Sequence, residues 1–457
     1  MSINGKVKSE EWKVKFSGKY MKKVLFAAVF AALSGFPALA PCAADTVFNF
    51  DAVSRTRYEY QQNLSDLGYS NSDQKSFFRF KFSGGLQAAW NDSIFGYIKI
   101  TNESRSYIYN NSGNAQYNIN EFVVDSLILS IPDILGYVDI KIGRMDLSPL
   151  EYGEGFLLAD GTPLDGSRTN YFNAAKLKIN FPKSKSSVEF IGIYNTATDN
   201  VLPVINENSP PTPLNDSNES AFIIYGKTNP EAKSYFEPYF MYKNEDANPS
   251  INKQQEGIAA FGSFAKFNLK NSAVVRAQAA IQLSDDNNTV RAGYGGYVFA
   301  DLPVSILQPF SIGYVYLSGE DPDGTGTRGW DPLFSRYPWM SDLLSYTFTN
   351  ESGVGYWTNL QMCKADFNVS PFARMSLLLS GAALFANDNM QFLNNNGPVP
   401  IFGGGKYRGT LAQAKISYIF SEHFNCYLLG EYFKPGDFYY NAANDVVFVR
   451  AEFTAKL

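Results

Sequence analysis

The stretch FFRFKFSGGLQAAW, residues 77–90, decides the class of fold. In it, Phe78, Phe80 and Phe82 alternate with Arg79 and Lys81. Because successive side chains of a β-strand point to opposite faces, this alternation predicts a strand with one apolar and one cationic face. A buried core strand would not hold two cations, and a helix would scatter the aromatic side chains around its surface. The pattern fits a strand that stands between lipid and a water-filled lumen.

The same period of two recurs along most of the chain. Val138, Ile140 and Ile142, for example, alternate with Asp139 and Lys141. Several of these segments exceed the roughly 9–11 residues that a tilted strand needs to cross a bilayer. We predict about eighteen strands, in residues 46–62, 74–91, 93–109, 119–131, 136–145, 169–181, 185–196, 219–228, 233–245, 256–269, 271–285, 288–301, 306–319, 352–369, 371–387, 406–420, 422–434 and 444–456.

Two kinds of connector alternate between these segments. One kind is short, as at Asn91–Asp92 and Ser421. The other kind is mostly longer and rich in Gly, Pro, Asn and Asp, and it comprises residues 146–168, 197–218, 320–351 and 388–405. Outer-membrane barrels have short periplasmic turns and long outer loops, and their closure leaves no unpaired strand edge in lipid. We therefore predict an all-β protein, a transmembrane antiparallel β-barrel of about eighteen strands in the bacterial outer membrane, with both termini in the periplasm.

The composition agrees with a barrel and disfavours other classes of protein. Aromatic residues make up 16% of the chain, although its mean hydropathy is only −0.20. A soluble β-sandwich would explain the alternation but not the aromatic content and the asymmetric connectors together. A β-propeller or solenoid would need a repeat of fixed period, which the sequence lacks. Beyond residue 44, no stretch approaches the roughly 18–20 apolar residues of a spanning helix.

The N-terminal segment has the features of a secretory signal. Lys22 and Lys23 precede the apolar stretch 24–40, and small residues follow it. A basic region, an apolar region and small residues at the cleavage site are the three parts of a signal peptide. We expect translation to start naturally at Met21 and cleavage to follow Ala44.

Cleavage at that position divides the chain into an N-terminal extension with signal peptide, 1–44, and a barrel, 45–457. A lipid anchor on Cys42 is the weaker alternative, because Pro41 stands where a small residue belongs. Residues 1–44 hold seven Lys and two Glu, so the remaining chain has 32 basic and 42 acidic residues and a net charge of about −10. Bulk charge therefore predicts no anionic partner.

The charges on the predicted inner face are more informative than the net charge. Alternation points these cations inward: Arg55, Arg57, Arg79, Lys81, Lys99, Arg105, Lys141, Lys176, Lys178, Arg276, Arg291 and Arg450. The predicted inward acids are fewer: Asp51, Glu59, Glu103, Asp139, Glu189 and Glu452. Charged rings in a narrow pore select ions by sign, and arginine pairs with carboxylates through two parallel hydrogen bonds. The alternative is that neighbouring Arg and Glu side chains only brace the barrel wall.

The sequence offers no catalytic or cofactor site. Its single histidine, His423, lies at a predicted periplasmic turn, and no nucleophile elbow, zinc-protease motif or Cys/His cluster occurs. The aspartate-rich stretch 319–332 lacks the helices and closing glutamate of an EF-hand, and the glycine-rich stretch 401–409 does not join a strand to a helix. We predict no catalytic residue, no metal, no cofactor and no nucleic-acid partner.

Seven segments resemble, in order, the alginate-export family of outer-membrane barrels. They are YVDIKIGRMDLSPLEYGEGFLLADGTPLDGSR (137–168), YLSGEDPDG (316–324), DPLFSRYPWMSDLLSYTF (331–348), GYWTNL (355–360), GKYRG (405–409), EYFKPGDFYY (431–440) and VVFVRAEF (446–453). The resemblance implies an eighteen-stranded monomeric barrel whose basic lumen passes an anionic exopolysaccharide, without nucleotide or metal chemistry.

The resemblance also adds a candidate to the lumen residues. Arg144 of the Gly-Arg pair matches a channel arginine of the family by position, as do Arg79, Arg105 and Arg450. Strict alternation from Ile142 would point Arg144 toward lipid, which a bulge at the preceding glycine or a position near the rim would reconcile. The predicted substrate-binding residues are thus Arg55, Arg57, Arg79, Lys81, Arg105, Lys141, Arg144 and Arg450.

Our leading hypothesis is a passive outer-membrane channel for export or diffusion of an anionic polysaccharide or saccharide. The partners it implies are that saccharide, outer-membrane lipid and periplasmic export components. A general or substrate-specific porin for small solutes is the second hypothesis. The third is a structural or adhesive surface barrel plugged by loops 146–168 and 320–351, which are long enough to fold inward.

Overall fold

The structure is a computed structural model. It describes residues 46–64, 67–68, 73–91, 93–110, 121–159, 172–206, 213–251, 253–286, 289–304, 307–321, 327–335, 338–347, 356–388 and 403–457. The predicted signal segment 1–44 lies outside the described residues. So does the second half of the predicted loop 146–168.

Eighteen strands form one closed antiparallel barrel, which confirms the predicted fold and strand number. In chain order β1 to β18 are Thr46–Gln62, Gln74–Trp90, Ile94–Asn110, Phe122–Ile134, Val138–Met145, Phe172–Phe181, Ser186–Asn195, Glu219–Lys227, Ser234–Glu245, Glu256–Asn268, Val274–Asp286, Thr289–Val304, Leu307–Leu317, Leu360–Phe372, Met375–Phe385, Tyr407–Ile419, Phe424–Pro435 and Val446–Lys456. Each strand pairs with the next one along the chain. β1 pairs with β18, from Val53 opposite Lys456 to Gln62 opposite Val447, and this closes the barrel.

The alternation in β2 sorts its side chains as the sequence predicts. Phe78, Phe80 and Phe82 are 38%, 43% and 54% exposed on the outer surface, whereas Arg79 is only 1% exposed and lies inside. Lys81 is half-buried on the same inner face. Because lipid solvates the aromatic rings and the lumen solvates the cations, one strand satisfies both kinds of side chain.

Short turns lie at one end of the barrel. Residues 182–185 join β6 to β7, and residues 373–374 join β14 to β15. In the turn between β4 and β5, the Gly136 amide donates to the Asp133 carbonyl at 3.2 Å, with Gly136 at φ +81°. Short turns mark the periplasmic end of an outer-membrane barrel, and an even strand number brings both ends of the barrel to that side.

Two connectors run inside the barrel. We call residues 146–159 the first inner segment, and residues 327–335 and 338–347 the second inner segment. The first contains two short 3₁₀ turns, Pro149–Glu151 and Gly153–Gly155, and the second contains a short helix, α1, at Asp342–Thr347. No helix among the described residues is long and apolar enough to cross a membrane.

The two inner segments pack against each other. Leu158 and Ala159 pair with Phe334 and Ser335 as a short parallel bridge. The Phe156 ring stacks on Trp330, with ring centroids 5.0 Å apart. All of these side chains are at most 6% exposed, so the inner segments form an apolar core within the lumen.

Candidate functional site

Arginines form a row across the inner wall of β1, β2 and β3. Arg57 lies directly opposite Arg79, and Arg79 lies directly opposite Arg105. In the next row toward the periplasm, Arg55 lies opposite Lys81. Like charges directly opposite each other destabilise a sheet, so this arrangement needs compensation from other groups.

Two buried glutamates, Glu59 and Glu103, and the half-buried Glu452 compensate the arginine row. Glu103 accepts two hydrogen bonds from Arg79, from Nη2 at 2.6 Å and from Nε at 3.2 Å. Glu452 accepts from the Arg57 Nε at 2.6 Å. Glu59, which is fully buried, has one carboxylate oxygen 3.6 Å from a guanidinium nitrogen of each of these two arginines. Buried charges persist only when they are paired and hydrogen-bonded, and these contacts meet that condition.

Arg450 connects this cluster to the second inner segment. Its Nε donates to Glu59 at 3.1 Å, and its Nη1 donates to Asp342 at 2.7 Å. Asp342 is the first residue of α1. The guanidinium, only 3% exposed as a residue, therefore joins the barrel wall to a segment inside the lumen.

The other cations of the two rows are more accessible than Arg57, Arg79 and Arg450. Arg55, Lys81 and Arg105 are half-buried rather than buried. The Arg105 guanidinium lies 4.6 Å from the centroid of the Phe77 ring and donates to the Tyr107 hydroxyl at 3.1 Å. These three side chains can therefore meet a solute in the lumen.

Arg144 lies apart from the rows. Its Nη2 donates to Asp199 at 3.0 Å and its Nε to Asn173 at 3.2 Å. The register through Gly143 is continuous, although Gly143 has a φ of +133°, and it places Arg144 opposite Leu127, which is 44% exposed. Arg144 lies one residue before the end of β5, near the rim, and is only 2% exposed, so its guanidinium is buried among its hydrogen-bond partners and apart from the arginine row.

Lys141, the remaining predicted site residue, lies on the inner wall of β5. It is opposite Lys176 of β6 and is half-buried. It does not belong to the arginine rows, which occupy β1 to β3. The eight predicted residues are therefore divided among three places: the rows with Arg450, the lysines of β5 and β6, and Arg144 near the rim.

The first inner segment is held by Tyr152 and Glu154. The Tyr152 hydroxyl donates to Glu189 at 2.7 Å and accepts from Lys176 at 2.8 Å. Burial, followed by the Glu189 carboxylate, raises the pKa of Tyr152, so the phenol remains protonated. Glu154 accepts from Arg276 of β11 at 2.7 Å.

The second inner segment is held on several sides. Glu431 of β17 accepts from the backbone amide of Leu343 at 2.5 Å and from the Ser341 hydroxyl at 3.2 Å. From another part of the wall, Lys243 of β9 donates to the Leu333 carbonyl at 3.0 Å. The segment is thus fixed to distant strands of the barrel.

Several of these anchoring residues were not identified from the sequence. Asp342 and Tyr152 lie in connectors without periodicity, so no local signal points to them. Lys243 lies on an inward position of β9, where alternation could have found it. Among the described residues, no group of three or more His, Cys, Asp or Glu side chains could hold a metal ion.

Several solved structures of outer-membrane proteins share this barrel fold. OccK7 (OpdD) of Pseudomonas aeruginosa is 11% identical, with a TM-score of 0.55, over 90% of this chain and 99% of that chain. OpdK of the same organism is 10% identical, with a TM-score of 0.55, over 90% and 98%. OprD is 10% identical, with a TM-score of 0.53, over 90% and 93%. These similarities show that the molecule has the fold of these outer-membrane β-barrels.

The family follows from a second comparison. The family model described as alginate export matches residues 47–449. The chain therefore belongs to the alginate export family, as its seven segments predict, and it resides in the bacterial outer membrane. A comparison with curated proteins finds no match.

Proposed function

We propose that this protein is a passive channel for anionic saccharides and that the two cation rows contact the cargo. The observation that carries the proposal is the placement of five cations in two adjacent rows of three strands. A wall built only for stability would alternate its charges, because opposite charges on facing strands are favourable. The rows instead place five cations next to one another, and acids stand only at their ends, with Glu452 opposite Arg57 and Glu103 opposite Lys81.

Burial divides the cluster into two roles. Arg57, Arg79 and Arg450 are buried and hold Glu59, Glu103 and Glu452 in a fixed network. In the proposal, the half-buried Arg55, Lys81 and Arg105 donate hydrogen bonds to the carboxylates of a passing saccharide. Guanidinium groups bind a carboxylate through two parallel bonds, and this favours uronates over neutral sugars.

Uronates are the probe we would use. One solved barrel of this fold, OccK2 (OpdF) of Pseudomonas aeruginosa, is a complex with glucuronate. That ligand shows what a barrel of this architecture can hold, and it supplies the carboxylate chemistry that the cation rows suit. Neutral maltodextrins of the same length are the matched control cargo.

The test is block of single-channel current in planar bilayers. Uronate oligomers should interrupt the current and maltodextrins should not. The variant R55E/K81E should weaken the uronate block at least tenfold, because two accessible cations become anions. The control K266E changes an inward lysine of β10, far from the rows, and should alter the block less than twofold. Equal block by both sugars would overturn the proposal.

The inner segments favour a second candidate, a porin for small solutes. These segments place an apolar core with Phe156, Trp330 and Leu343 inside the lumen. If the segments stay in place, this core limits the size of the solute that can pass. Block and passage of uronates as a function of chain length decide between the candidates. Passage that stops at the disaccharide would assign the protein to small solutes.

We further propose that the barrel works as a monomer, because one chain closes it. An exporter would receive its cargo from periplasmic components, and size measurement in detergent with and without periplasmic extract would show such an assembly. A monomeric mass under both conditions would contradict the proposal that the barrel binds a periplasmic component.

A further inference from the structure

A cavity of about 360 Å³ lies at the periplasmic rim, between β6, β7 and β8. Its lining includes Lys178, Lys185 and Lys227 together with the hydroxyls of Ser186 and Ser187, and it contains no Asp or Glu. Its volume falls within the roughly 300–1,000 Å³ in which proteins hold small ligands. Lys185 is ion-paired with Glu231, which lies outside the lining, so Lys178 and Lys227 are the two ammonium groups of the cavity that suit an anion.

Lys178 faces this cavity without a close carboxylate. It is inward, half-buried, and lies opposite Asp139 across the sheet. The Asp139 oxygens instead accept from the Asp133 amide and from the Asn180 side chain, both at 2.9 Å. Across the described part of the chain, no carboxylate oxygen lies within 4.0 Å of the Lys178 ammonium.

Lys227 shares its one carboxylate with another lysine. Glu189 lies 3.3 Å from the Lys227 ammonium and 3.1 Å from that of Lys176. The Lys227 ammonium also lies 4.7 Å from the centroid of the Tyr152 ring, so the cavity touches the first inner segment. Lys176 and Lys227 therefore share Glu189, whereas Lys178 of the same inner face has no carboxylate oxygen within 4.0 Å among the described residues.

We infer that this cavity is a loading site, in which Lys178 and Lys227 bind a carboxylate of an acidic saccharide that arrives from the periplasm. The inference rests on the proposed function and adds a direction to it, because the cavity lies at the periplasmic rim and the cation rows lie farther along the lumen. Lysine suits this task, since its flexible ammonium can follow a moving carboxylate. The phosphate of an anionic phospholipid offers similar chemistry from another source.

The test is sided block of single channels. Trigalacturonate is added to either the periplasmic or the extracellular chamber, and the orientation of each channel is read from the asymmetry of its current–voltage curve. Periplasmic addition should block wild-type channels at the lower concentration. Loss of a hydrogen bond to a charged group costs about 1.5–3 kcal/mol, so K178Q should raise the periplasmic blocking concentration about tenfold or more.

Two comparisons make this result specific. K178Q should leave block from the extracellular side unchanged, because that side meets the arginine rows first. The control K266Q, an inward lysine of β10 that does not line the cavity, should leave block from both sides unchanged. K178R, which keeps the charge, should restore periplasmic block to within about twofold of wild type.

Each contrary outcome has one meaning. If uronate blocks from both sides but K178Q changes neither, the loading site is wrong and the channel proposal stands. If uronate blocks from neither side, the channel proposal fails and the loading site fails with it. If K178Q matters only in bilayers with phosphatidylglycerol, and not in bilayers of phosphatidylcholine alone, the cavity binds a lipid headgroup and the saccharide assignment is overturned.

Discussion

The arginine rows of β1 to β3 and the lysine cavity of β6 to β8 are both cationic, yet they are built differently. In the rows, Glu59, Glu103 and Glu452 fix the buried guanidinium groups at hydrogen-bonding distance. In the cavity, Lys178 stands 4.0 Å or more from any carboxylate of the described residues. The planar guanidinium suits fixed two-point contacts, whereas the ammonium is a mobile point charge. One region is thus a braced wall with accessible edges, and the other is a site kept open for an anion.

Removal of Glu59 should give the largest effect. E59Q leaves Arg57, Arg79 and Arg450 partly uncompensated in a buried position, and breaking a buried charge network costs about 3–5 kcal/mol. The free energy of unfolding, measured by urea titration of barrels in lipid vesicles, should fall by that amount. The control E422Q, at an exposed turn, should change it by less than about 0.5 kcal/mol. A stability loss equal to that of the control would break the comparison.

Exchange of arginine and lysine should affect the two regions unequally. R79K loses one of the two contacts with Glu103, and we expect a loss of about 2 kcal/mol in the same titration. K178R should leave stability within about 0.5 kcal/mol of wild type. Equal losses in both variants would mean that the cavity lysines are as firmly fixed as the arginines.

Salt should separate the regions further. When ionic strength rises from 0.15 to 1 M, the Debye length falls from about 8 to about 3 Å. Periplasmic block by trigalacturonate should therefore weaken several-fold, because the half-exposed lysines are screened. The stability difference between wild type and E59Q should change by less than about 1 kcal/mol, since buried pairs are screened little. A salt-insensitive block would argue against lysine contacts.

The smallest stability effect is expected for K178Q. The substitution removes no carboxylate contact among the described residues, so the urea midpoint should stay within experimental error of wild type. The same preparation should show the weakened periplasmic block, which assigns the change to binding rather than folding. A marked loss of stability would show that Lys178 braces the wall.

The strands could be predicted because alternation is a local property of the sequence. Each predicted segment corresponds to one observed strand. The length of connectors 146–168 and 320–351 indicated that they could fold inward, but the contacts that hold the inner segments could not be predicted. Tyr152 and Asp342 lie in connectors without periodicity, and their partners Glu189 and Arg450 are 37 and 108 residues away along the chain.

The ion pairs between inward side chains also could not be predicted from the sequence. Alternation predicts that both Glu59 and Lys178 point inward. Only the structure shows that Glu59 contacts three arginines, whereas Asp139, opposite Lys178, accepts hydrogen bonds from other donors. A braced charge and an available charge therefore look the same in the sequence. Their difference is a property of the assembled barrel.

The most direct test of the account is the reversal potential of single channels in a tenfold KCl gradient. Wild-type channels should favour chloride, and R55E/K81E should shift the reversal potential toward that of potassium, because accessible cations in the rows set the sign of the permeant ion. Cation selectivity in the wild type, unchanged by the charge reversal, would contradict the claim that the arginine rows govern what passes through this barrel.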